Sequence, residues 1–186
     1  MVAWAKTAQH MDQKRDAPLQ TIWIRPHNPP QATEREGAGL SAETYKWLVY
    51  PYIGRSFDGN RKWFQLAIEL RGGNESVLLP GTNLRLMMDG KEYTLPDMYT
   101  YNVGSGTGCG HELFGEFFCV NSWEIAPKTD SDRQALETLV RFISDAHEVY
   151  ATLIGGPGTN RFSVQLTQPQ LAIFRAVVTE YDKPQT

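Results

Sequence analysis

The sequence is poor in the residues that usually announce chemistry. Two cysteines and four histidines stand among 186 residues, too few for a disulfide framework and thin for a metal centre, since a structural zinc takes four ligands and a catalytic one three. No apolar run approaches the roughly 18 to 20 residues a membrane-spanning helix needs, and Val2-Ala-Trp-Ala5 is too short for the core of a signal peptide. No membrane span is expected, and as it stands the chain reads as cytoplasmic, or as cell-envelope or secreted if a leader has been removed. Positive charge is not in excess either. Eighteen Lys and Arg against 21 Asp and Glu leave a net charge of −3, which gives no general attraction to phosphate backbones, so nucleic acid is not an expected partner.

What is present is an ordinary globular composition. Hydrophobic residues make up 41% and charged residues 21%, well away from the composition of disordered chains. Residues 1–40 read as a polar N-terminal tail and Pro-rich linker. Trp4, Ala8 and Met11 offer only a thin helical stripe around the charged run Asp12 to Asp16, Thr21 to Ile24 has room for a short strand, and Pro26, Pro29 and Pro30 then interrupt regular structure. Residues 41–183 read as a single β-rich α+β domain.

Within it, Thr44 to Tyr52 carries large side chains on both alternating faces, as a central strand does. Lys62 to Leu70 alternates more cleanly, with Phe64, Leu66, Ile68 and Leu70 on one face, and reads as half-buried. Between these strands, Arg55 to Trp63 mixes basic and aromatic residues as single-strand binders do, but Asp58-Gly59 marks it as a hairpin loop. Ser76 to Leu79 is a further strand. Asp89-Gly90 separates Leu84–Met88 from Lys91–Leu95 and predicts a hairpin with a type I′ turn. After the strand at Phe117 to Val120, Leu136, Leu139, Val140, Ile143 and Ala146 recur at helical period behind a Ser131/Gln134 capping box. Val149–Ile154 and Arg161–Leu166 form a second hairpin, and Thr167 with Gln170 opens a short final helix. The expected fold is α+β, a mainly antiparallel, sandwich-like β-sheet with two short helices in the C-terminal half.

The segment Gly104 to Glu112 has glycine at alternate positions. It lacks the Lys and Ser/Thr of a P-loop, Cys109 breaks the dinucleotide fingerprint, and the expectation is a flexible or tightly turned surface loop. Cys109 and His111 are the catalytic candidates, because a thiolate beside an imidazole is a good nucleophile. In extended chain Glu112 projects from the opposite face, so the acid of a triad would have to come from elsewhere. The same pair supplies only two metal ligands. His10 falls in the tail, His27 in the Pro-rich loop and His147 at a helix C-terminus, where the dipole favours a cationic ring, so neither a metal nor another cofactor is expected. If the chain folds back at Leu113-Phe-Gly115, Cys109 and Cys119 become opposite members of a hairpin, with the reduced state favoured in the absence of a leader.

Aromatic residues are the remaining resource. Trp47, Tyr50, Tyr52, Trp63, Tyr93, Tyr99, Tyr101 and Trp123 lie in or beside expected strands, either as packing or as a row that stacks on a partner. The favoured reading is a non-enzymatic binding or assembly module that meets a macromolecular partner through a sheet face or loops. A protein is the first choice of partner and carbohydrate the second, with Tyr99, Tyr101, His111 and Glu112 as binding candidates. The alternative is a cysteine-dependent hydrolase or transferase using Cys109 and His111.

Overall fold

The structure, a computed structural model, describes residues 10–30, 32–34, 45–71, 83–94, 106–111, 117–154 and 161–184. In chain order the strands are β1 (Met11–Asp16), β2 (Thr21–Pro26), β3 (Ala32–Glu34), β4 (Tyr45–Ser56), β5 (Lys62–Arg71), β6 (Asn83–Met88), β7 (Lys91–Thr94), β8 (Gly106–His111), β9 (Phe117–Ile125), β10 (Val149–Ile154) and β11 (Arg161–Gln165). The helices are α1 (Asp130–Asp145) and α2 (Gln168–Asp182). Two antiparallel sheets result. The larger runs β1-β2-β4-β5-β9-β8, with β3 pairing β4, and the smaller runs β11-β10-β6-β7.

The turns follow their residues. Gly59 (φ 74°) closes the β4–β5 loop, where the Asp58 carboxylate accepts from the Asn60 amide (3.0 Å) and the Ser56 hydroxyl (2.5 Å). Asp89 (φ 47°) and Gly90 (φ 79°) make the expected I′ turn between β6 and β7. Asp89 also reaches across the fold: its carboxylate accepts from the amides of His147 (3.1 Å) and Glu148 (2.9 Å), fastening the turn to the start of β10.

Three expectations are corrected. The charged run Asp12 to Asp16 belongs to neither a tail nor a helix: it lies in β1, pairing with β2 from Met11↔Pro26 to Asp16↔Thr21, so strand pairing extends across residue 40 into β4. Its residues carry no apolar alternation because β1 is an outer strand held by its ladder, with Gln20 (φ 50°) in the connecting turn. Ala32–Glu34, inside the expected linker, pairs with Tyr45–Trp47 of β4. Gly106–His111, expected as a loop, pairs with β9 from Gly106↔Ser122 to His111↔Phe117, because a glycine-rich run can join a ladder through its backbone. Two refinements accompany these. β5 is buried on both faces, since Gln65 and Ala67 are also covered, and the α1 capping box lies at Thr129/Asp132, two residues before the expected one. The expected strand at residues 76–79 lies outside the described residues.

Among the described residues, one cluster of buried hydrophobic side chains joins both sheets and both helices. Ile24, Val49, Ile53, Phe64, Leu66 and Ile68 contribute from the large sheet, Leu136, Val140 and Ile143 from α1, Leu171, Phe174 and Val177 from α2, and Leu86, Met88, Val149 and Val164 from the small sheet. The last turn of α2 is clasped onto this core. Tyr181 stacks on Phe64 (ring centroids 4.0 Å apart), its hydroxyl lies 3.2 Å from both the Lys62 carbonyl and Glu137 Oε2, and the Lys62 ammonium donates to the Tyr181 carbonyl. Arg141 of α1 donates to both carboxylate oxygens of Asp182 (2.7 and 3.1 Å), and this hydrogen bonding holds the Asp182 carboxyl below its ordinary range. Burial, and then the Glu137 charge, push the Tyr181 hydroxyl up to about 12.

Candidate functional site

The face of the large sheet opposite Ile24, Ile53 and Phe64 carries the described aromatic cluster. Directly paired residues share a face, so the registers Trp23↔Gly54 and Gly54↔Trp63 set two tryptophans on either side of a glycine, while Tyr52↔Gln65 and Tyr50↔Ala67 follow along the strands. Trp63 occupies the space above Gly54. A Cβ at position 54 would stand 2.3 Å from Trp63 Cε2, closer than any side chain tolerates. Trp23 meets Trp63 and Tyr52 edge-on, with centroids 6.0 and 5.7 Å apart.

Arg25 completes the layer. Its guanidinium lies 4.3 Å over the Tyr52 ring and donates to Glu124 Oε1 at 3.2 Å. Tyr52 is fully buried and donates its hydroxyl proton to Gln65 Oε1. Burial first, and then the Glu124 charge, push that hydroxyl far above the ordinary tyrosine range, and burial raises Tyr50 as well. Both stay protonated at neutral pH. Trp23, Tyr50 and Trp63 are half-buried, so each leaves part of its ring uncovered around the buried Tyr52, Gln65 and Ala67, beside a guanidinium and a carboxylate.

The catalytic candidates lie elsewhere. Cys109 and His111 occupy alternate positions of β8, opposite Cys119 and Phe117 of β9. Glu112, Tyr99 and Tyr101 lie outside the described residues.

The structure also brings together residues that sequence reasoning had separated. Beyond the Met11↔Pro26 pair the ladder closes with the His27 amide donating to the His10 carbonyl at 2.9 Å. This places His10 opposite His27 and leaves Asp12, two residues along, on the same face. His27 Nδ1 is 2.8 Å from Asp12 Oδ2, His10 Nε2 is 3.4 Å from Asp12 Oδ1, and the two imidazoles meet edge-on at 5.5 Å. The pattern His-x-Asp, followed across a Pro-containing turn by a second histidine, was the available signal. It becomes informative only once the hairpin is recognised.

Among the described residues no helix is long and apolar enough to cross a membrane. Comparison with protein-family models, curated proteins and solved structures returns no match for this chain.

Proposed function

We propose that the protein is a non-enzymatic binding module that meets a protein partner through the outer face of its large sheet. The observation that carries this reading is the half-buried set Trp23, Tyr50 and Trp63 around Tyr52, edged by the Arg25–Glu124 pair. Tyrosine, tryptophan and arginine are the residue types that dominate binding energy at protein interfaces: the two aromatics combine large contact area with few rotatable bonds and a polar tip, and arginine adds a planar guanidinium that stacks and donates several hydrogen bonds. Packing against one another fixes these side chains before any partner arrives, which lowers the ordering cost of association.

The test is photo-crosslinking from position 50 in native extract, with Trp63→Ala as the companion variant. A defined protein adduct that disappears in Trp63→Ala supports the reading. Adducts indifferent to Trp63, or turnover of ester, amide or thioester substrates that Cys109→Ala abolishes, overturn it.

A further inference from the structure

We propose that His10, Asp12 and His27 form a binding site for one divalent transition-metal ion of the zinc type at the open end of the β1–β2 hairpin. The ligand atoms of these three residues all lie within 4.8 Å of one another. An ion with bonds of roughly 2.0 to 2.2 Å holds tetrahedrally arranged ligand atoms about 3.3 to 3.6 Å apart. The observed separations, 2.8 Å from His27 Nδ1 to Asp12 Oδ2 and 3.4 Å from His10 Nε2 to Asp12 Oδ1, lie close to or just inside that spacing, so loading the site calls for rotation of the two rings and the carboxylate about an ion placed between them. The backbone is already held, since the His27 amide bonds the His10 carbonyl and the next pairs along are in register.

The donor set decides the class of ion. Two imidazole nitrogens and one carboxylate oxygen suit zinc and its neighbours in the first transition row, whereas magnesium and calcium seek oxygen alone. Three protein ligands leave a coordination position open, as in exchangeable sites and unlike closed structural ones. Arg25, the ladder partner of Asp12, is engaged by Glu124 and the Tyr52 ring. Access from solvent is direct, with His10, Asp12 and His27 side chains 68%, 55% and 44% exposed. The site stands independently of the binding-face reading, and either holds without the other.

The experiment is calorimetric titration of chelator-stripped, full-length protein with zinc at neutral pH, beside magnesium as the hard-ion control. The expected result is saturable uptake of a single zinc equivalent, no uptake of magnesium, and affinity lowered about tenfold or more by His27→Ala and by Asp12→Asn. Cys109→Ser should leave the affinity unchanged. Imidazole NMR signals of His10 and His27 should move on zinc addition while that of His147 stays. His27→Gln keeps a polar side chain at the hairpin end without the ring, and should lose zinc with unaltered far-UV circular dichroism. Absence of saturable uptake, uptake that survives both His27→Gln and Asp12→Asn, or uptake abolished by Cys109→Ser, each overturns the proposal.

Discussion

Gly54 shows how one residue sets the character of a surface. A glycine inside a strand ordinarily weakens it, and its presence signals a close approach by another group. Here that group is the Trp63 indole, lying where any Cβ would be. Gly54→Ala should therefore displace Trp63 and cost roughly 1 to 3 kcal/mol by overpacking. Chemical denaturation with tryptophan emission as the probe measures both effects, and an unshifted midpoint with unshifted emission would show that the indole leaves freely. At this scale the sequence was legible in kind and illegible in arrangement. The aromatic residues of β4 and β5 announced a packing or binding role, but which of them meet depends on the exact register of that hairpin and on β2, which brings Trp23 to the other side of Gly54. His10 and His27 were invisible as neighbours because the charged β1 was read as a tail, so the short hairpin that opposes them was not expected.

Elements were legible wherever local chemistry specifies them. The Asp89-Gly90 turn, the Thr167/Gln170 capping box and the helical stripe of α1 each carry their own signal, and each element stands where expected. β1 and β8 were illegible because they carry no such signal: one is charged, the other glycine-rich, and both are held by a neighbour's backbone. The β8–β9 register makes a chemical prediction. Cys109 and Cys119 are direct partners, and residues opposed in an antiparallel ladder have Cα atoms about 4.5 to 5.5 Å apart, inside the span a disulfide accepts. Incubation with oxidised glutathione should close an intramolecular bond, seen as a loss of about two mass units and of both titratable thiols. Persistence of two thiols, or formation only of mixed disulfides, would contradict the pairing.

At the scale of the whole molecule, buried tyrosines make stability depend on alkaline pH. Tyrosine in an unfolded chain ionises near pH ~10, whereas Tyr50 and Tyr52 are raised by burial and Tyr181 is raised to about 12. Below the unfolded value both states hold these protons and the stabilisation is fully present. As pH climbs from there through the folded values the unfolded state binds fewer protons, so stability falls. Lys62, whose pKa burial lowers, acts in the opposite sense just below its ordinary value. Denaturant midpoints should decline progressively above pH ~10, and Tyr181→Phe should flatten the decline; an unchanged slope in that variant would remove Tyr181 as a source. Strand order has a consequence in time. β5 finds its second neighbour in β9 only after the β6–β7 hairpin has been made, and β6 finds β10 only after α1 has been made. Neither sheet is complete when its first strands leave the ribosome, and the apolar side of β6 has no β10 beside it until residue 154 has emerged. Such separated pairings close slowly, so a nascent chain stalled before Val149 would display Leu86 and Met88 to chaperones.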